Sequence, residues 1–509
     1  MNRKHCSINR LSEHRTTTGN ARLGLVLGAP IITILCVACA VGPNFSRPVS
    51  PKTDHYTAEP LPARTAATDT VGGAAQVFAL GEQIPSAWWT LYRCAALNAL
   101  VEQTLKANPT VQSAQAALRQ AHENVLAAWG VLAPAVNAAA NGERQRISGA
   151  EFGDPNAPSS TFNLYNASVS VSYGLDIFGG ARRELEALYA QSDYQRYVLE
   201  ATYLTLASNV VTTAIAEASL RAQIVAAEEL VAESGQHLEV IKTQQRLGGA
   251  SGADVLAQQA ELAQDRALLP GLRDQLDRQR TLLATLLGRL PSDQPEATFQ
   301  LTDLQLPESL PVSLPSQLVT QRPDVRQQEE LLHQASAQIG VATANMLPQI
   351  TLSGSFGGAS TASGELFNAA SRTWSVGAGI TQPLFHGGQL LHQRRASVAA
   401  YDQAFAQYRE TVLTAFRNVA DTLRALTADA DTLNAQNEAE QTAVASLALA
   451  QRQYTLGATS FLTLLNAQHA ERQARILLIQ SQAARYADTA ALFQALGGGW
   501  WNRDAGAAK

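Results

Sequence analysis

Residues whose chemistry could support catalysis or metal binding are sparse in this sequence. The nine histidines are scattered, and the chain has neither a Gly-x-x-x-x-Gly-Lys phosphate loop nor a His-Glu-x-x-His metal motif. His386 and His392 lie six residues apart and could share a metal ion, although surface histidines at a helix start are the simpler interpretation. The sequence therefore predicts no catalytic residue, no metal site and no cofactor other than a covalent lipid, considered below.

One set of charged residues has the spacing of a helix face. Arg417, Asp421 and Arg424 share a face of a predicted helix because they are separated by four and three residues, and Asp429 follows on the same helix. Acidic side chains such as Asp421 attract cations and repel anions where they encircle a narrow opening. A solvated helix face with local ion pairs, each contributing little, would give the same pattern. Both interpretations stay open for Asp421, whereas the solvated face is favoured for Arg424 and Asp429.

The composition narrows the class of protein. The chain has 509 residues, of which 46% are apolar and 16% charged, and its formal net charge is −5. The negative charge argues against a nucleic-acid-binding protein. A mean hydropathy of −0.08 excludes a bundle of membrane-spanning helices. The length allows two or three ordinary domains or one large elongated architecture.

The N-terminus has the pattern of an export signal. A basic segment precedes a short apolar stretch over residues 23–38, which together predict a signal peptide over residues 1–38. The stretch ends in Leu35-Cys36-Val37-Ala38-Cys39, which resembles a bacterial lipobox and predicts lipidation of Cys39. An ordinary signal with an incidental cysteine is the alternative. Residues 39–85, rich in Pro, Ala, Thr and Gly, are predicted to form a lipidated N-terminal tether.

The rest of the chain repeats one plan. Landmarks such as Phe178-Gly179-Gly180 and Phe385-His386-Gly387-Gly388 recur in the same order at offsets of 207 to 214 residues. We predict a first repeat over residues 86–295, a linker over 296–323, a second repeat over 324–498 and a C-terminal tail over 499–509. Each repeat is interpreted as a helix, two strands and a long helical hairpin, which gives a mixed α and β fold.

Alternation and heptad spacing locate the elements. Strands are predicted at residues 135–147, 161–178, 349–357 and 372–385. Residues 182–246 contain no proline and predict an unusually long helix. Within that helix an apolar seam spaced by three and four residues predicts coiled-coil packing, at Ile224, Ala227, Val231, Ser234, Leu238 and Ile241. Glycine-containing breaks at 248–252 and 457–460 are predicted to reverse the long helices.

Four membrane strands cannot close a barrel by themselves. An open edge in lipid leaves backbone groups unpaired at a cost of several kcal/mol each, so the chain is expected to oligomerise. Two chains would give about eight strands, a barrel filled by its own side chains, whereas three give about twelve and leave a conduit. Trp129 and Trp374 lie near strand ends, where they could form an aromatic belt or be plain core residues.

The order of landmarks resembles the outer membrane factor (TolC-like) family, in its lipoprotein branch. The resemblance covers nearly the whole mature chain and is carried by these motifs: Cys39-Ala40-Val41-Gly42-Pro43-Asn44-Phe45, Arg47-Pro48, Trp88-Trp89, Asn108-Pro109, Leu175-Asp176-Ile177-Phe178-Gly179, Arg322-Pro323-Asp324-Val325 and Pro383-Leu384-Phe385. Cys94-Ala95-Ala96 departs from the family, which usually has an Asp-Pro dipeptide there. The resemblance implies a homotrimer, a 12-stranded outer-membrane barrel and a long periplasmic helical tunnel. The implied partners are outer-membrane lipid, a periplasmic adaptor protein and an inner-membrane pump of the resistance-nodulation-division type.

The resemblance also implies site residues and a function. Family members close at the periplasmic helix tips, and the segment 417–424 resembles that region, so Asp421, Arg424, Arg417 and Asp429 are expected to form the gate. The breaks at Gly248, Gly249, Gly457 and Ala458 resemble the tips that adaptors grip. The expected function is a passive exit duct of a tripartite efflux pump for small molecules such as drugs, toxic compounds or metal ions. The alternative is a non-conducting coiled-coil envelope lipoprotein.

Overall fold

A computed structural model describes residues 40–153, 156 and 158–503. The predicted lipidation site Cys39, the predicted signal peptide and the end of the predicted tail lie outside the described residues. The described part is mostly helical with some strands, so the mixed α and β class is confirmed. The helices are α1 Ala95–Ala107, α2 Pro109–Trp129, α3 Gly180–Arg246, α4 Gly252–Leu286, α5 Pro315–Gln321, α6 Pro323–Ala344, α7 Gln389–Thr455 and α8 Phe461–Ala495. The strands are β1 Val77–Leu80, β2 Ala135–Ile147, β3 Ser160–Leu175, β4 Ser309–Val312, β5 Gln349–Ser360 and β6 Arg372–Thr381.

Local sequence explains where the helices begin. Asn108 caps α2 by accepting a 2.8 Å hydrogen bond from the Thr110 amide, while Pro109 occupies the first helical position. Ser251 and Asp254 form a reciprocal capping box at the start of α4. Ser460 caps α8 through the Thr463 amide. The Ser251 and Ser460 caps fix the starts of α4 and α8, the helices that follow the two predicted glycine-containing breaks.

Two helical hairpins have matching lengths. Helices α3 and α7 each have 67 residues, and α4 and α8 each have 35. A helix of 67 residues extends about 100 Å at 1.5 Å per residue. The long helix predicted at 182–246 is therefore confirmed, beginning two residues earlier. Its predicted seam is buried or half-buried throughout, and Leu238 and Ile241 pack with α4 and α8 residues in one apolar cluster.

The larger sheet has the order β2-β3-β5-β6 and is antiparallel throughout. All four predicted strands form, and β2 has the predicted bounds. Strand β3 ends three residues earlier than predicted because the chain turns at Asp176–Gly179, where Gly179 has φ +77°. Strand β6 stops at Thr381 rather than residue 385, since Pro383 cannot donate to a sheet ladder.

The N-terminal segment is packed onto the body more closely than a free tether. Its strand β1 pairs in parallel with β4, which lies in the predicted linker. Arg485 on α8 is fully buried and donates hydrogen bonds to Thr65 Oγ1 at 2.8 Å and to the Ala74 carbonyl at 2.7 Å. The second, two-stranded sheet was not predicted.

The main core joins the helices to the N-terminal segment and to β4. It contains the buried aromatic rings of Trp88, Tyr92, Phe299 and Phe493, packed with aliphatic residues of α3 and α7. An 18-residue window of α3 is apolar enough to cross a membrane, but 67% of it is buried inside the structure, as in a soluble core helix. The larger sheet, by contrast, exposes large apolar side chains such as Trp374.

Candidate functional site

The larger sheet presents one apolar face to the exterior of the chain. Residues paired directly across antiparallel strands point to the same side, and the register aligns Ala138 with Val169, Phe356 and Trp374 in one row. The same side carries large apolar residues in neighbouring rows: Val136, Val171, Tyr173, Leu352, Val376 and Ile380. Trp374, Val376 and Ile380 are 74%, 81% and 71% exposed. A wall of this kind is expected to face lipid or another apolar surface.

The opposite face is lined by small polar side chains. One row aligns Asn137 with Ser170, Ser355 and Ser375, and the hydroxyls of Ser355 and Ser375 lie 2.8 Å apart. Neighbouring rows on this side contribute Asn141, Asn166, Ser168, Ser172, Thr351, Ser353 and Thr373. Glu143 is the charged residue that the four strands place on this face, near the end where Phe162 and Leu164 interrupt the polar pattern. Hydroxyls and amides of this size suit contact with water.

Both edges of the sheet are open in the described chain. Strand β2 is bonded to β3 on one side, and β6 is bonded to β5 on one side. Because the four strands alternate in direction, β2 and β6 run in opposite senses. The β6 edge of one chain can therefore pair in antiparallel fashion with the β2 edge of another.

The two ends of the sheet differ in chemistry. Both hairpin loops, at 148–159 and 361–371, lie at one end, and the long helices leave from the other. Three arginines, Arg144, Arg146 and Arg372, occupy apolar-face positions near the loop end. Trp374 lies in β6 on that face, whereas Trp129 ends α2 and donates its indole N–H to Tyr189 at 2.9 Å. Of the two tryptophans considered for an aromatic belt, Trp374 therefore lies on the apolar face of the sheet, whereas Trp129 lies at the end of a helix.

The helix turns share one backbone pattern. In the first, the Gly249 amide donates to the Gln244 carbonyl at 2.8 Å, and in the second the Ala458 amide donates to the Gln453 carbonyl at 2.8 Å. Gly248 and Gly457 adopt φ +79° and +70°, the left-handed conformation of a Schellman cap. Leu247 and Leu456, next to the glycines, are 83% and 82% exposed. The predicted tip residues therefore form two similar, exposed apolar turns.

The predicted gate residues do not lie at these tips. Asp421 stands near the middle of α7, 36 residues before Gly457, or about 54 Å along the helix. The expectation that segment 417–424 lies at the tips is therefore wrong. Arg417, Asp421 and Arg424 are exposed, as expected for one helix face, while Val419 and Leu423 on the opposite face enter the main core.

Asp429 occupies a different environment from the other three. It is half-buried, and burial together with the adjacent Asp488 carboxyl of α8 raises its pKa from 3.8 to about 7, against the lowering effect of Arg485. This carboxyl faces Asp488 and Arg485 of α8. It is therefore unsuited to lining an aqueous gate.

A polar network that the sequence interpretation missed lies closer to the tips. Arg472 of α8 contacts Glu261 at 2.5 Å and also Asp265, both of α4, and these carboxylates are only 5% and 2% exposed. Ser234 of α3 donates to Asp265 at 2.5 Å, and His469 Nε2 lies 2.8 Å from Glu261. The network joins the two hairpins at a level 12 residues beyond the α8 cap. The seam position of Ser234, polar among apolar residues, was the sequence signal for it.

The described residues contain no cluster of three or more His, Cys, Asp or Glu side chains able to hold a metal ion. His386 precedes α7, and the His392 amide donates to the Gly388 carbonyl within the helix start. The described chain is thus a two-faced sheet continued by long helical hairpins.

An open, two-faced antiparallel sheet continued by paired helices of this length is the subunit architecture of an outer-membrane channel. A sequence model of the outer membrane efflux protein family matches residues 100–289 and 314–498. The chain therefore belongs to that family, and it functions in the outer membrane as the exit duct of an efflux system, extending into the periplasm.

Known relatives and structures agree with the family. The pyoverdine export outer membrane protein OpmQ of Pseudomonas aeruginosa is 30% identical over 430 residues, covering 83% of this chain and 89% of OpmQ. The outer membrane protein OprJ of Pseudomonas aeruginosa is 28% identical over 488 residues, covering 93% of this chain and 96% of OprJ. The solved outer-membrane channel OprN has a TM-score of 0.81 and 26% identity, covering 91% of this chain and 100% of OprN.

Proposed function

We propose that three copies of this chain form a 12-stranded barrel in the outer membrane, continued by a periplasmic helical tunnel, and that solutes pass through it without catalysis. The observation that carries the proposal is the two-faced sheet with its open edges. Its apolar face suits lipid, its polar face suits a water-filled lumen, and its edges have the sense required for antiparallel closure. Strands β5 and β6 have 12 and 10 residues, close to the ~9–11 needed to cross the hydrocarbon core.

The same proposal treats the chain as a tandem repeat. The matching hairpin lengths and the matching turns support it, because each half then contributes one sheet hairpin and one helical hairpin. Three chains would give a tunnel with six similar hairpins. Their exposed Leu247-Gly248-Gly249 and Leu456-Gly457-Ala458 turns would dock a periplasmic adaptor, which connects the duct to an inner-membrane pump, of the resistance-nodulation-division type.

Lipidation at Cys39 would anchor each subunit beside its own strands. The residues that follow the cysteine contact the helices directly. Arg183 donates hydrogen bonds to the Val41 carbonyl at 3.1 Å and to Asn44 Oδ1 at 2.7 Å. The ring of Phe45 stacks on that of His333, with 4.3 Å between the ring centroids. Ala40 lies against Gly179, where α3 begins just after β3. The residues that follow Cys39 therefore lie near the end of the sheet from which the long helices leave.

Closure would involve charged residues at two levels. Exposed Asp421, with Arg417 and Arg424, would form a charged ring at mid-height of the tunnel. The Arg472 network would hold the hairpins together nearer the tips, where closure is expected. Cargo selection is assigned to the pump, since the small hydroxyl and amide side chains of the sheet offer no specific binding site. Relatives named for pyoverdine, toluene or antibiotics indicate the range of cargo in the family.

Single-channel conductance in a planar bilayer tests the proposal, with purified wild type compared with Asp421→Ala. A small, cation-selective current that rises in the variant supports both the pore and the charged ring. A pore with unchanged conductance keeps the duct and removes Asp421 from the closure. Folded trimers that never conduct would overturn the duct and favour the coiled-coil spacer.

A further inference from the structure

The apolar face of the larger sheet carries a cavity of about 470 Å³ below the β5–β6 loop. The sheet forms the floor of the cavity. The floor is a shallow depression, because the small side chains of Ala138, Ala140 and Ala167 lie beside the larger side chains of Val169 and Phe356. Leu366 and Phe367 of the loop form the other wall. A cavity of this size is within the ~300–1,000 Å³ typical of small-molecule sites.

The loop that covers the cavity is held by specific contacts. Ser371 Oγ donates to the Glu365 carbonyl at 2.8 Å, and the Ala362 amide donates to Ser360 Oγ at 3.2 Å. The Leu366 carbonyl lies so close to the sheet that a Cβ at Gly358 would stand 2.2 Å from it. Glycine at this position is therefore required for the loop to lie on the apolar face, and the cavity results from that arrangement.

A cation stands at the rim of this apolar space. Arg372, the first residue of β6, lines the cavity and is exposed, and its guanidinium has no hydrogen-bond or ion-pair partner among the described residues. Arg144 and Arg146 lie on the same face nearer the loops, and Arg146 donates to Ser159 Oγ at 2.7 Å. An apolar cavity with an unpaired guanidinium at its edge matches a molecule with a hydrocarbon chain and an anionic headgroup.

We propose that this cavity binds a membrane lipid of the outer leaflet, with one acyl chain between the sheet and the β5–β6 loop and a headgroup phosphate against Arg372. The inference rests on the proposed barrel, which makes the apolar face lipid-facing. The leaflet follows from the topology, because the loop end of the sheet is opposite the end from which the periplasmic helices leave. Guanidinium binds phosphate through two parallel hydrogen bonds, which a neutral headgroup cannot accept equally well.

The test titrates purified full-length trimer with bis-phosphorylated lipid A in detergent micelles and counts retained lipid by native mass spectrometry. Arg372→Gln removes the charged headgroup partner and is expected to weaken retention at least about tenfold, because the charge-assisted hydrogen bonds to the phosphate are lost. Ala140→Phe fills the cavity and is expected to abolish retention at this site. Arg144→Gln is the matched control: it removes the same charge from the same face without touching the cavity, and retention should stay within about twofold of wild type.

Two results would overturn the assignment. If Arg372→Gln and Arg144→Gln lose the same amount of retained lipid, the trimer is attracted to anionic micelles in general. If the wild type retains dephosphorylated lipid A as well as bis-phosphorylated lipid A, the phosphate has no role in binding. Loss of trimers in Ala140→Phe would identify the cavity as a contact between copies, in which case Arg372→Gln alone decides on lipid. The conductance of each variant is recorded as well. A variant that conducts but retains no lipid contradicts the lipid site alone, whereas a folded trimer that does not conduct contradicts the proposed duct.

Discussion

Gly248 and Gly457 each end a 67-residue helix with the same left-handed cap. At φ +79° and +70° a side chain would be strained even though nothing lies within 4 Å of the added Cβ. The backbone therefore explains both glycines, and open space around them keeps the tips accessible. Accessibility of the neighbouring leucines is what makes the turns suitable for a protein partner.

Asp429 is expected to make stability depend on pH. Its pKa is raised from 3.8 to about 7 by burial and by Asp488, so between these values the folded chain keeps a proton that the unfolded chain has released. The free energy of unfolding contributed by this group is therefore largest below 3.8, falls as pH rises, and is lost above about 7. Asp429→Asn should raise the thermal unfolding midpoint at pH 8 relative to wild type, with little change at pH 4.

Asp431→Asn is the matched control, since Asp431 is exposed on the same helix. It should leave the midpoint and its pH dependence unchanged. A pH profile of Asp429→Asn identical to that of wild type would contradict the assignment of this carboxyl as the protonated group.

At the scale of elements, the strands were predictable because their two faces differ so strongly. Alternating residues such as Val169, Val171 and Tyr173 mark the apolar side, and the ends of β3 and β6 were overestimated only where glycine and proline break the ladder. The pairing of β1 with β4 was not predictable, since both strands have four residues and their partners are more than 200 positions apart. The position of Asp421 was misjudged because a local resemblance was given more weight than the distance to Gly457.

A pair of neighbouring residues in β6 tests the two faces directly. Val376→Lys places a charge at the middle of the apolar face and is expected to cost about 2–4 kcal/mol per chain in the membrane. Assembled trimers in outer-membrane vesicles should therefore fall sharply, as measured by heat-modifiable mobility in gels. Ser375→Lys, on the polar face, should assemble like wild type.

Equal assembly of the two lysine variants would contradict the lipid-facing assignment of Val376. Loss of both would indicate that β6 tolerates no charge on either side, as a strand buried between two protein surfaces would. The reverse order, with Ser375→Lys lost and Val376→Lys retained, would exchange the proposed lumen and lipid faces.

At the scale of the whole molecule, α8 contacts the first helical hairpin, and in the proposed tunnel separation of the two hairpins would widen the opening. Arg472→Ala would leave Glu261 and Asp265 buried without their cation, a change that typically costs about 3–5 kcal/mol. Without Arg472, α8 no longer offers a cation to these two α4 carboxylates, and their hydration favours separation of α8 from α4. We expect single-channel conductance to rise several-fold in Arg472→Ala.

Arg278→Ala supplies the comparison, because Arg278 pairs with Asp274 on the exposed surface of α4, where the pair contributes little. Its conductance should match that of wild type. If Arg472→Ala conducts no better than Arg278→Ala while remaining folded, the network stabilises the hairpins without restricting the pore.

The polar face of the sheet also bears on how the duct discriminates among ions. Glu143 is the charged residue that the four strands place there, so most of the wall presents hydroxyls, amides and backbone with no net charge. Such a wall generates little surface conduction and little electro-osmotic drag. In the proposed barrel, a reversal potential measured under a salt gradient would then originate in the helical tunnel and at the level of Glu143, and the rest of the membrane segment would act as a neutral aqueous resistor in series with them.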